Sequence, residues 1–378
     1  MAAKEKAAEL KEEQGTNYWS KVSAYDQWIK STGIPVHRGY FVEDLRTLEL
    51  GRWEERGCDA AFLVLAGQEG VTEARVTEIG AGKSLPPVKF GLDEIVYVVE
   101  GRGLTTVWLE GKGKKTFEWQ KHSMFLLPRG YHHQLVNAQG NRPARLLHYN
   151  YLPIAMAVVP DPKFYFESTY QDESLVYGQN GEFYSEAKAV QQSPDHAGIE
   201  VYWWGNFFPD MKAWDKLVPH TRRGAGGHTV RMGFPNSQLS AHMSVFPSRT
   251  YKKGHRHGPG RIIVIPAGEG YSIMWLEGKE KVIVPWQESS VFTPPDRWFH
   301  QHFNLGGTPA RYLALHPPAP FHGRGEKVED RAKDQIEYSD EEPWIRQKFE
   351  EELAKRGLKS QIPDEAYRIS NYEWSYEE

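Results

Sequence analysis

Three histidines in the last third of the chain have the spacing of metal ligands. His255 and His257 are two residues apart, and His300 follows 43 residues later. Side chains alternate along a strand, so the first two imidazoles face one side, and a third from a neighbouring strand can complete one face of a metal's coordination sphere. Three neutral imidazoles suit Fe, Cu, Ni, Mn or Zn and leave positions open for substrate, dioxygen or water. The alternative is that these histidines have no ligand role and are only polar side chains that fill the open end of a β-barrel.

Two more residues lie close to this pattern. Strand alternation directs Arg261 inward beside the histidines, where a buried guanidinium needs an anionic partner. A substrate carboxylate or phenolate can provide it, and the competing interpretation is a salt bridge to Glu269 or Glu288. His302 faces the same interior as a fourth ligand, a proton shuttle or hydrogen-bonded filler. On the preceding strand, His242 and Ser244 are further candidates for the pocket wall.

The chain contains an internal duplication. Residues 101–137 align without a gap on residues 268–304 at an offset of 167, and sixteen of the 37 positions are identical. At the same offset, Val88 and Phe90 replace the first two histidines in copy one, which keeps Glu94 and His133 as two ligand positions. Two ligands beside a phenyl ring rarely hold a catalytic metal, so we expect copy one to have a structural role.

Both copies resemble the cupin family, and two copies resemble a bicupin. The motif positions in copy one are Gly82, Glu94, Gly101, Pro128, Gly130, His133 and Asn137; those in copy two are His255, His257, Gly268, Pro295, His300 and Asn304. Arg261 and Arg297 replace the family's Glu and Gly. The resemblance implies an all-β fold of two cupin (jelly-roll) β-barrels in tandem, with helical N- and C-terminal extensions.

Bicupins with a single three-histidine site resemble the gentisate, salicylate and hydroxynaphthoate ring-cleaving dioxygenases. This resemblance implies a non-haem Fe(II) oxygenase acting on a small phenolic or otherwise chelating acid. In that scheme His255, His257 and His300 bind the metal, Arg261 anchors the substrate anion and His302 is an acid/base. The first alternative is a hydrolase, lyase or isomerase that uses the metal as a Lewis acid. The second is a non-catalytic binding or storage protein.

Composition limits the partners of the protein. Charged residues make up 25% of the chain and the formal net charge is only −4, so no basic field exists to attract nucleic acid or an anionic membrane. The only cysteine, Cys58, excludes an intramolecular disulfide and a cysteine-rich metal site. We expect a cytoplasmic enzyme with a small-molecule substrate, assembled as a homo-oligomer, either a dimer or a tetramer.

Short apolar runs separated by Gly, Pro and Asn predict closely spaced strands. Near the C-terminus, Ser339–Glu342 has the pattern of a capping box, and Ile345, Phe349 and Leu353 form the apolar stripe of a helix that ends at Gly357. We expect five segments: a helical arm (1–38), a first barrel with a degenerate metal site (39–154), an inter-barrel segment (155–225), a second barrel with the metal site (226–320) and a helical tail (321–378).

Overall fold

The computed structural model describes residues 22–172, 184–195, 198–322, 333–370 and 372–376. Within them the chain forms two jelly-roll barrels in tandem, each built from a large and a small β-sheet. The all-β prediction is therefore confirmed, and the two barrels carry the two copies of the repeat.

The first barrel pairs a large sheet with a small one. In spatial order the large sheet contains Val36–Gly39, Cys58–Leu65, Glu73–Ile79, Ala144–Asn150, Glu94–Glu100, Met124–Leu127 and Phe207–Phe208, with Gly51–Trp53 beside Cys58–Leu65. The small sheet contains Val88–Lys89, His132–Asn137, Arg102–Trp108 and Lys115–Gln120. Copy one of the repeat supplies the strands from Arg102 to Asn137.

The second barrel repeats this arrangement. Its large sheet contains Lys188–Gln191, Val201–Trp204, His228–Gly233, Ser240–Phe246, Ala310–His316, Ile262–Ala267, Val291–Phe292 and Phe41–Val42, with Val218–Pro219 beside His228–Gly233. Its small sheet contains Val282–Trp286, Gly270–Trp275, Phe299–Asn304, Gly254–His255 and Gln335–Ile336. The WLEGK sequence common to both copies forms a hairpin turn in each barrel.

The duplication extends to backbone conformation. Gly101 and Gly268 have φ of +98° and +102°, and a Cβ on either would lie 2.6 Å from the Cβ of Ala144 or Ala310. Gly130 has φ of 71°, and Arg297, which replaces glycine at the same position of copy two, keeps a φ of 60°. The turn therefore imposes a left-handed conformation even on a residue that ordinarily avoids it.

Chain segments cross between the two halves. Phe41–Val42, at the start of the segment predicted as the first barrel, pairs with Val291–Phe292 of the second. The inter-barrel segment contributes Phe207–Phe208 to the first barrel and Val201–Trp204 to the second. One buried apolar cluster contains residues of both large sheets, for example Leu63 with Leu313. The halves consequently share a core, and each supports the other.

The described residues form four α-helices outside the sheets, and one of the four, in the tail, covers the second barrel. Helices span Ala24–Ser31, Leu152–Val158, Pro162–Phe166 and Pro343–Ala354; 3₁₀ turns span Glu54–Arg56, Ala66–Gln68, Thr221–Arg223, Ala319–His322 and Asp364–Tyr367. Ile345, Phe349 and Leu353 are buried against Tyr271 and Phe303 of the small sheet. The predicted apolar stripe therefore packs on the second barrel.

The predicted capping box is wrong. The tail helix begins at Pro343 after Glu342, and no side chain caps it. Proline has no N–H to be capped and its fixed φ suits the first helical position, so it sets the start of the helix. Of the predicted N-terminal helical arm (1–38), residues 1–21 lie outside the described residues, and Ala24–Ser31 forms a helix. Among the residues that the structure describes, no helix combines the length and apolarity needed to span a membrane.

Candidate metal centre

Three imidazoles meet in the interior of the second barrel. His255 and His300 are directly paired across neighbouring antiparallel strands, and His257 follows just beyond the short strand Gly254–His255. One ligand nitrogen from each ring lies within 4.8 Å of the others. The ring centroids of His255 and His300 are 4.2 Å apart, and those of His257 and His300 are 4.6 Å apart. The three histidines predicted as metal ligands are therefore brought together.

Hydrogen bonds to backbone carbonyls determine the tautomer of two of these imidazole rings. Nδ1 of His257 lies 2.8 Å from the Gly258 carbonyl oxygen, and Nδ1 of His300 lies 3.1 Å from the Trp298 carbonyl oxygen. A carbonyl only accepts, so Nδ1 carries the proton in both rings and Nε2 keeps its lone pair. Nε2 of His300 and Nδ1 of His255 are buried without a hydrogen-bond partner among the described residues. These orphaned nitrogens fit a divalent metal, since carbonyl-anchored imidazoles are typical of metal sites.

The three histidines are neutral at physiological pH. Burial lowers the pKa of His300 to about 3, and the positive charges of Arg223 and Arg261 act in the same direction. Burial likewise lowers the pKa of His255 and His257 well below the ordinary value. A neutral imidazole is the form that binds metal, so no proton competes for these ligands near neutrality.

Arg261 has no anionic partner in the described part of the protein. Its Nε is buried without a hydrogen-bond acceptor. Glu288, one of the two proposed partners, instead binds Lys121 at 2.5 Å and Lys212 at 2.8 Å, while Glu269 is exposed. Burial, followed by the charges of Arg231 and Arg223, lowers the pKa of Arg261 to about 9, so its guanidinium remains charged at neutral pH. The salt-bridge alternative for Arg261 is therefore not observed.

His302 belongs to a hydrogen-bond chain beside the three histidines. Its ring lies 5.5 Å from that of His300, and Nδ1 is 2.8 Å from Oγ of Ser272. Trp286 donates its indole N–H to the same Ser272 oxygen at 3.1 Å. Burial is the largest cause that lowers the pKa of His302 well below its ordinary value, and the positive charge of Arg223 acts in the same direction. His302 is not in the group of nitrogens that could share a metal.

Two basic residues of this interior are not among those predicted from the sequence. Lys252 is fully buried, and its Nζ contacts Ser244 Oγ and lies 5.5 Å from the ring centroid of Tyr312. Arg223 comes from a 3₁₀ turn of the inter-barrel segment and donates to Gln335 at 2.8 Å. Lys252 had a signal in the sequence, because it aligns with Leu85 at the repeat offset of 167 and so faces inward. Arg223 had none, because it lies outside the repeat.

His242, the other wall candidate, faces the same interior. Its Nδ1 lies 2.6 Å from Nε2 of His316, which comes from the neighbouring strand Ala310–His316. Burial, then the charges of Arg231 and Arg261, holds the pKa of His242 well below its ordinary value. His242 and Ser244 therefore lie on the same inner wall as Lys252 and Arg261.

The equivalent position of the first barrel is occupied by an internal ion network. Glu94 accepts from Arg75 at 2.6 Å, from His148 at 2.7 Å and from Asn150 at 2.9 Å. Although burial opposes it, the charge of Arg75 and the bond to His148 hold the pKa of Glu94 well below its usual value. Its oxygens are thus committed to protein donors. Across the described residues, the three histidines of the second barrel are the one group with metal-ligand geometry.

Besides His133, residues 39–154 of the first barrel contain three histidines, and two of them are hydrogen-bonded core residues. His148 bonds Glu94 and lies 2.8 Å from Thr77, and His122 lies 2.7 Å from the Tyr97 hydroxyl. The third, His132, is half-buried and stacks on Trp108.

The first barrel also supports the loop that carries Arg261. The N–H of Gly260 donates to the Gly67 carbonyl at 2.7 Å. The Gly260 carbonyl accepts from Thr72 at 2.9 Å and from the Tyr149 hydroxyl at 2.6 Å. Gly260 has φ of +84°, a conformation that favours glycine. Three hydrogen bonds from the first half therefore fix the residue immediately before Arg261.

No family model matches the sequence, and no curated protein matches it. Among solved structures, the fold is similar to an oxalate decarboxylase of Bacillus subtilis with Mn(II) centres. The TM-score is 0.47, identity is 12%, and the match covers 75% of this chain and 78% of that chain. For Lactobacillus farciminis oxalate decarboxylase the values are 0.46, 12%, 74% and 86%. At this identity no conclusion about the reaction follows. The resemblance to ring-cleaving dioxygenases stays a prediction.

Proposed function

We propose that the protein is a metal-dependent enzyme that acts on a small chelating organic acid inside the second barrel. The observation that carries the proposal is the combination of three neutral, buried imidazoles with an arginine that lacks an anionic partner among the described residues. Imidazole nitrogens bind the metal, and the guanidinium binds the anion that the metal also attracts.

In this scheme His255, His257 and His300 hold the metal. Fe(II) is the metal that we predict, and Mn, Ni, Cu and Zn accept the same ligands. The bound metal would polarise oxygen atoms of the substrate and, as Fe(II), would also provide a path for electrons to dioxygen. The three imidazoles are neutral and no carboxylate is a ligand. The centre would therefore keep the full positive charge of the metal and favour an anionic substrate.

Arg261 is the residue that we assign to substrate recognition. Its planar guanidinium can form two parallel hydrogen bonds with a carboxylate. Arg223 and Lys252 add basic groups to the same interior, while Arg231 is already paired with Asp195 at 3.1 Å. A desolvated anion placed here gains several charge interactions and relieves the cost of the unpaired guanidinium.

His302 is the residue that we assign to proton transfer. Because Trp286 donates to the Ser272 oxygen, the Ser272 hydroxyl hydrogen is available to His302 Nδ1, and the ring proton then resides on Nε2. This bond would hold the ring in one tautomer and orientation. In an oxygenase, His302 in this form would donate its Nε2–H to the phenolic oxygen of the substrate, and it would transfer a proton to that oxygen from the protonated ring.

The same hydrogen-bond chain favours a second reaction class, that of a non-redox lyase, hydrolase or isomerase. A buried imidazole with a defined N–H can donate a hydrogen bond to a developing negative charge and, in its protonated form, can protonate a carbanion or a leaving group without any oxidant. Both classes use the same metal ligands and the same arginine. The two classes differ in the need for dioxygen, so turnover with and without oxygen distinguishes them.

The test begins with metal analysis of protein purified without added metal. Chelator-treated protein is then reloaded separately with Fe(II), Mn(II) or Zn(II) and assayed against phenolic and short dicarboxylic acids, with and without oxygen. The oxygenase hypothesis predicts a visible charge-transfer band with salicylate on the Fe(II) form, and stoichiometric oxygen consumption with the true substrate. Undiminished turnover under anaerobic conditions, or turnover with Zn(II) alone, would replace it by the lyase or hydrolase class.

A second measurement tests the role of Arg261. Arg261→Ala should weaken salicylate binding by about 2–4 kcal/mol, and Arg261→Lys, which keeps charge but loses the fork, by less. The matched control is Arg311→Ala, since Arg311 lies on a second-barrel strand and donates to the Trp214 carbonyl. Metal content should stay constant in all three variants. Unchanged affinity in Arg261→Ala would reduce Arg261 to a packing role.

A further inference from the structure

The first barrel contains a pocket at the position that corresponds to the metal centre of the second. It encloses a cavity of about 50 Å³. Val88 and Phe90, which replace the first two histidines, line it together with Glu94 and His133. A cavity needs roughly 10–15 Å³ to hold one water, so this space accepts a molecule of a few heavy atoms.

Arg56 places a positive charge at this pocket. It ends the 3₁₀ turn Glu54–Arg56, and its guanidinium carbon lies 4.8 Å from the ring centroid of Phe166 and 5.4 Å from that of Trp53. Within the described ranges Arg56 forms no hydrogen bond and no ion pair. Arg75, the other guanidinium of the pocket, is bound to Glu73 and Glu94. Of the two pocket arginines, Arg56 is therefore the one whose N–H donors are available to bind a ligand.

His133 supplies a neutral polar group on another wall. Burial lowers its pKa to about 3, so the ring has one N–H donor and one acceptor near neutral pH. In the part of the chain that the structure describes, its side chain has no hydrogen-bond partner. The remaining walls are apolar or aromatic, including Leu85 and Phe90. An anionic head and a short apolar body match this combination of charge and surface.

We propose that the first barrel binds a short-chain monocarboxylate in this pocket, with Arg56 as the anion anchor and His133 as a second hydrogen-bond donor. The aromatic faces hold the guanidinium plane, and its edge donates to the carboxylate. The Glu94 carboxylate does not oppose binding, because Arg75, His148 and Asn150 already surround it. The site is independent of the metal centre of the second barrel.

The test is calorimetric titration of the full-length, chelator-treated protein with propionate and with its neutral isostere propionamide. Propionate should bind at one site, and propionamide at least tenfold more weakly. Arg56→Gln should weaken propionate binding at least tenfold. The matched control Arg52→Gln should leave it unchanged, because Arg52 is an exposed neighbour paired with Glu54. Arg261→Ala should also leave it unchanged, which separates this site from the proposed function.

Arg56→Lys is the second variant, and it serves if Arg56→Gln does not fold. It keeps the charge but loses the forked donor, so an affinity between those of the wild type and the glutamine variant is expected. Equal affinity for propionate in the wild type and in Arg56→Gln overturns the proposal. The absence of propionate binding, equal binding of propionamide, or loss of binding in Arg261→Ala overturns it as well.

Discussion

The two barrels share one frame and differ in how charge is balanced inside it. Glu94 of the first barrel and Arg261 of the second occupy the same position, since 94 + 167 = 261, and Arg75 corresponds to His242. The first barrel therefore pairs an acid with a base, at 2.6 Å between Arg75 and Glu94. In the second barrel Arg261 stands at the position of Glu94, and no acidic side chain is paired with it among the described residues.

This difference indicates which barrel is built to hold a metal ion together with an anionic substrate. In the first barrel the Arg75–Glu94 pair is satisfied at this position, and breaking it would leave an uncompensated buried charge. An unpaired interior has a cost in the absence of ligand, and a bound anion can recover that cost. The second barrel combines this unpaired charge with three ligand nitrogens, whereas the first has Val88 and Phe90 in place of two of them.

The largest expected effect concerns metal content. His257→Ala should reduce bound metal from one equivalent per chain to less than about a tenth of that, because two imidazoles hold a divalent ion far less tightly than three. The matched variant in the first barrel is His133→Ala, which should retain full metal content. Elemental analysis of both proteins gives the answer. A halved stoichiometry in His133→Ala would show a second metal site and end the asymmetric interpretation.

The next effect is on stability, and it should differ in sign between the barrels. Arg75→Met leaves Glu73 and Glu94 buried without their cation and should cost about 3–5 kcal/mol. Arg261→Met removes a half-buried guanidinium whose Nε is buried without a partner among the described residues, and it should leave the stability unchanged or raise it. Urea denaturation of the metal-free proteins, followed by tryptophan fluorescence, measures both. Equal destabilisation by the two substitutions would contradict the proposed difference in charge balance.

A smaller effect depends on pH and affects only the barrel that the tail covers. Burial raises the pKa of Glu341 to about 7, although hydrogen bonds from Tyr251 and Gln301 and the charge of Arg346 act in the opposite direction. The folded protein then binds a proton that the unfolded chain releases near pH 4.5. Protonated Glu341 therefore contributes to the free energy of unfolding below about pH 4.5. This contribution, at most about 3 kcal/mol, is lost as the pH rises towards 7.

Glu341→Gln should remove this pH dependence. The variant should be less sensitive than the wild type between about pH 4.5 and 7, as measured by denaturation midpoints at several pH values. Glu350→Gln, on the exposed face of the tail helix that follows Glu341, is the control and should follow the wild type. Parallel pH profiles for the wild type and Glu341→Gln would mean that the tail does not carry this titration.

The smallest effect tests the support that one barrel gives the other. Tyr149→Phe removes the hydroxyl that bonds the Gly260 carbonyl and should cost about 1 kcal/mol in stability. Because Gly260 precedes Arg261, salicylate affinity should fall about threefold while metal content stays constant. Tyr97→Phe, which removes a hydroxyl bound to His122 in the first barrel, is the control for affinity. An equal loss of affinity in both variants would indicate a general effect on packing.

Part of this difference between the barrels follows from the amino-acid sequence alone. The offset of 167 identified the repeat, its motifs predicted two barrels, and strand alternation directed His255, His257 and Arg261 inward. The apolar stripe of Ile345, Phe349 and Leu353 predicted the tail helix, although Pro343 rather than a capping box sets its start. These features are local, because they depend on side-chain periodicity and on turns within a few residues.

Other features depend on contacts between segments that are distant in the chain. The pairing of Phe41–Val42 with Val291–Phe292, and the placement of Arg223 in the second barrel, have no periodic signal. Periodicity indicates which face of a strand is buried, but not which charged group it meets there. The absence of a partner for Arg261 among the described residues, and the pairing of Glu288 with Lys121 and Lys212, were therefore decided only when the sheets closed and the two barrels packed together.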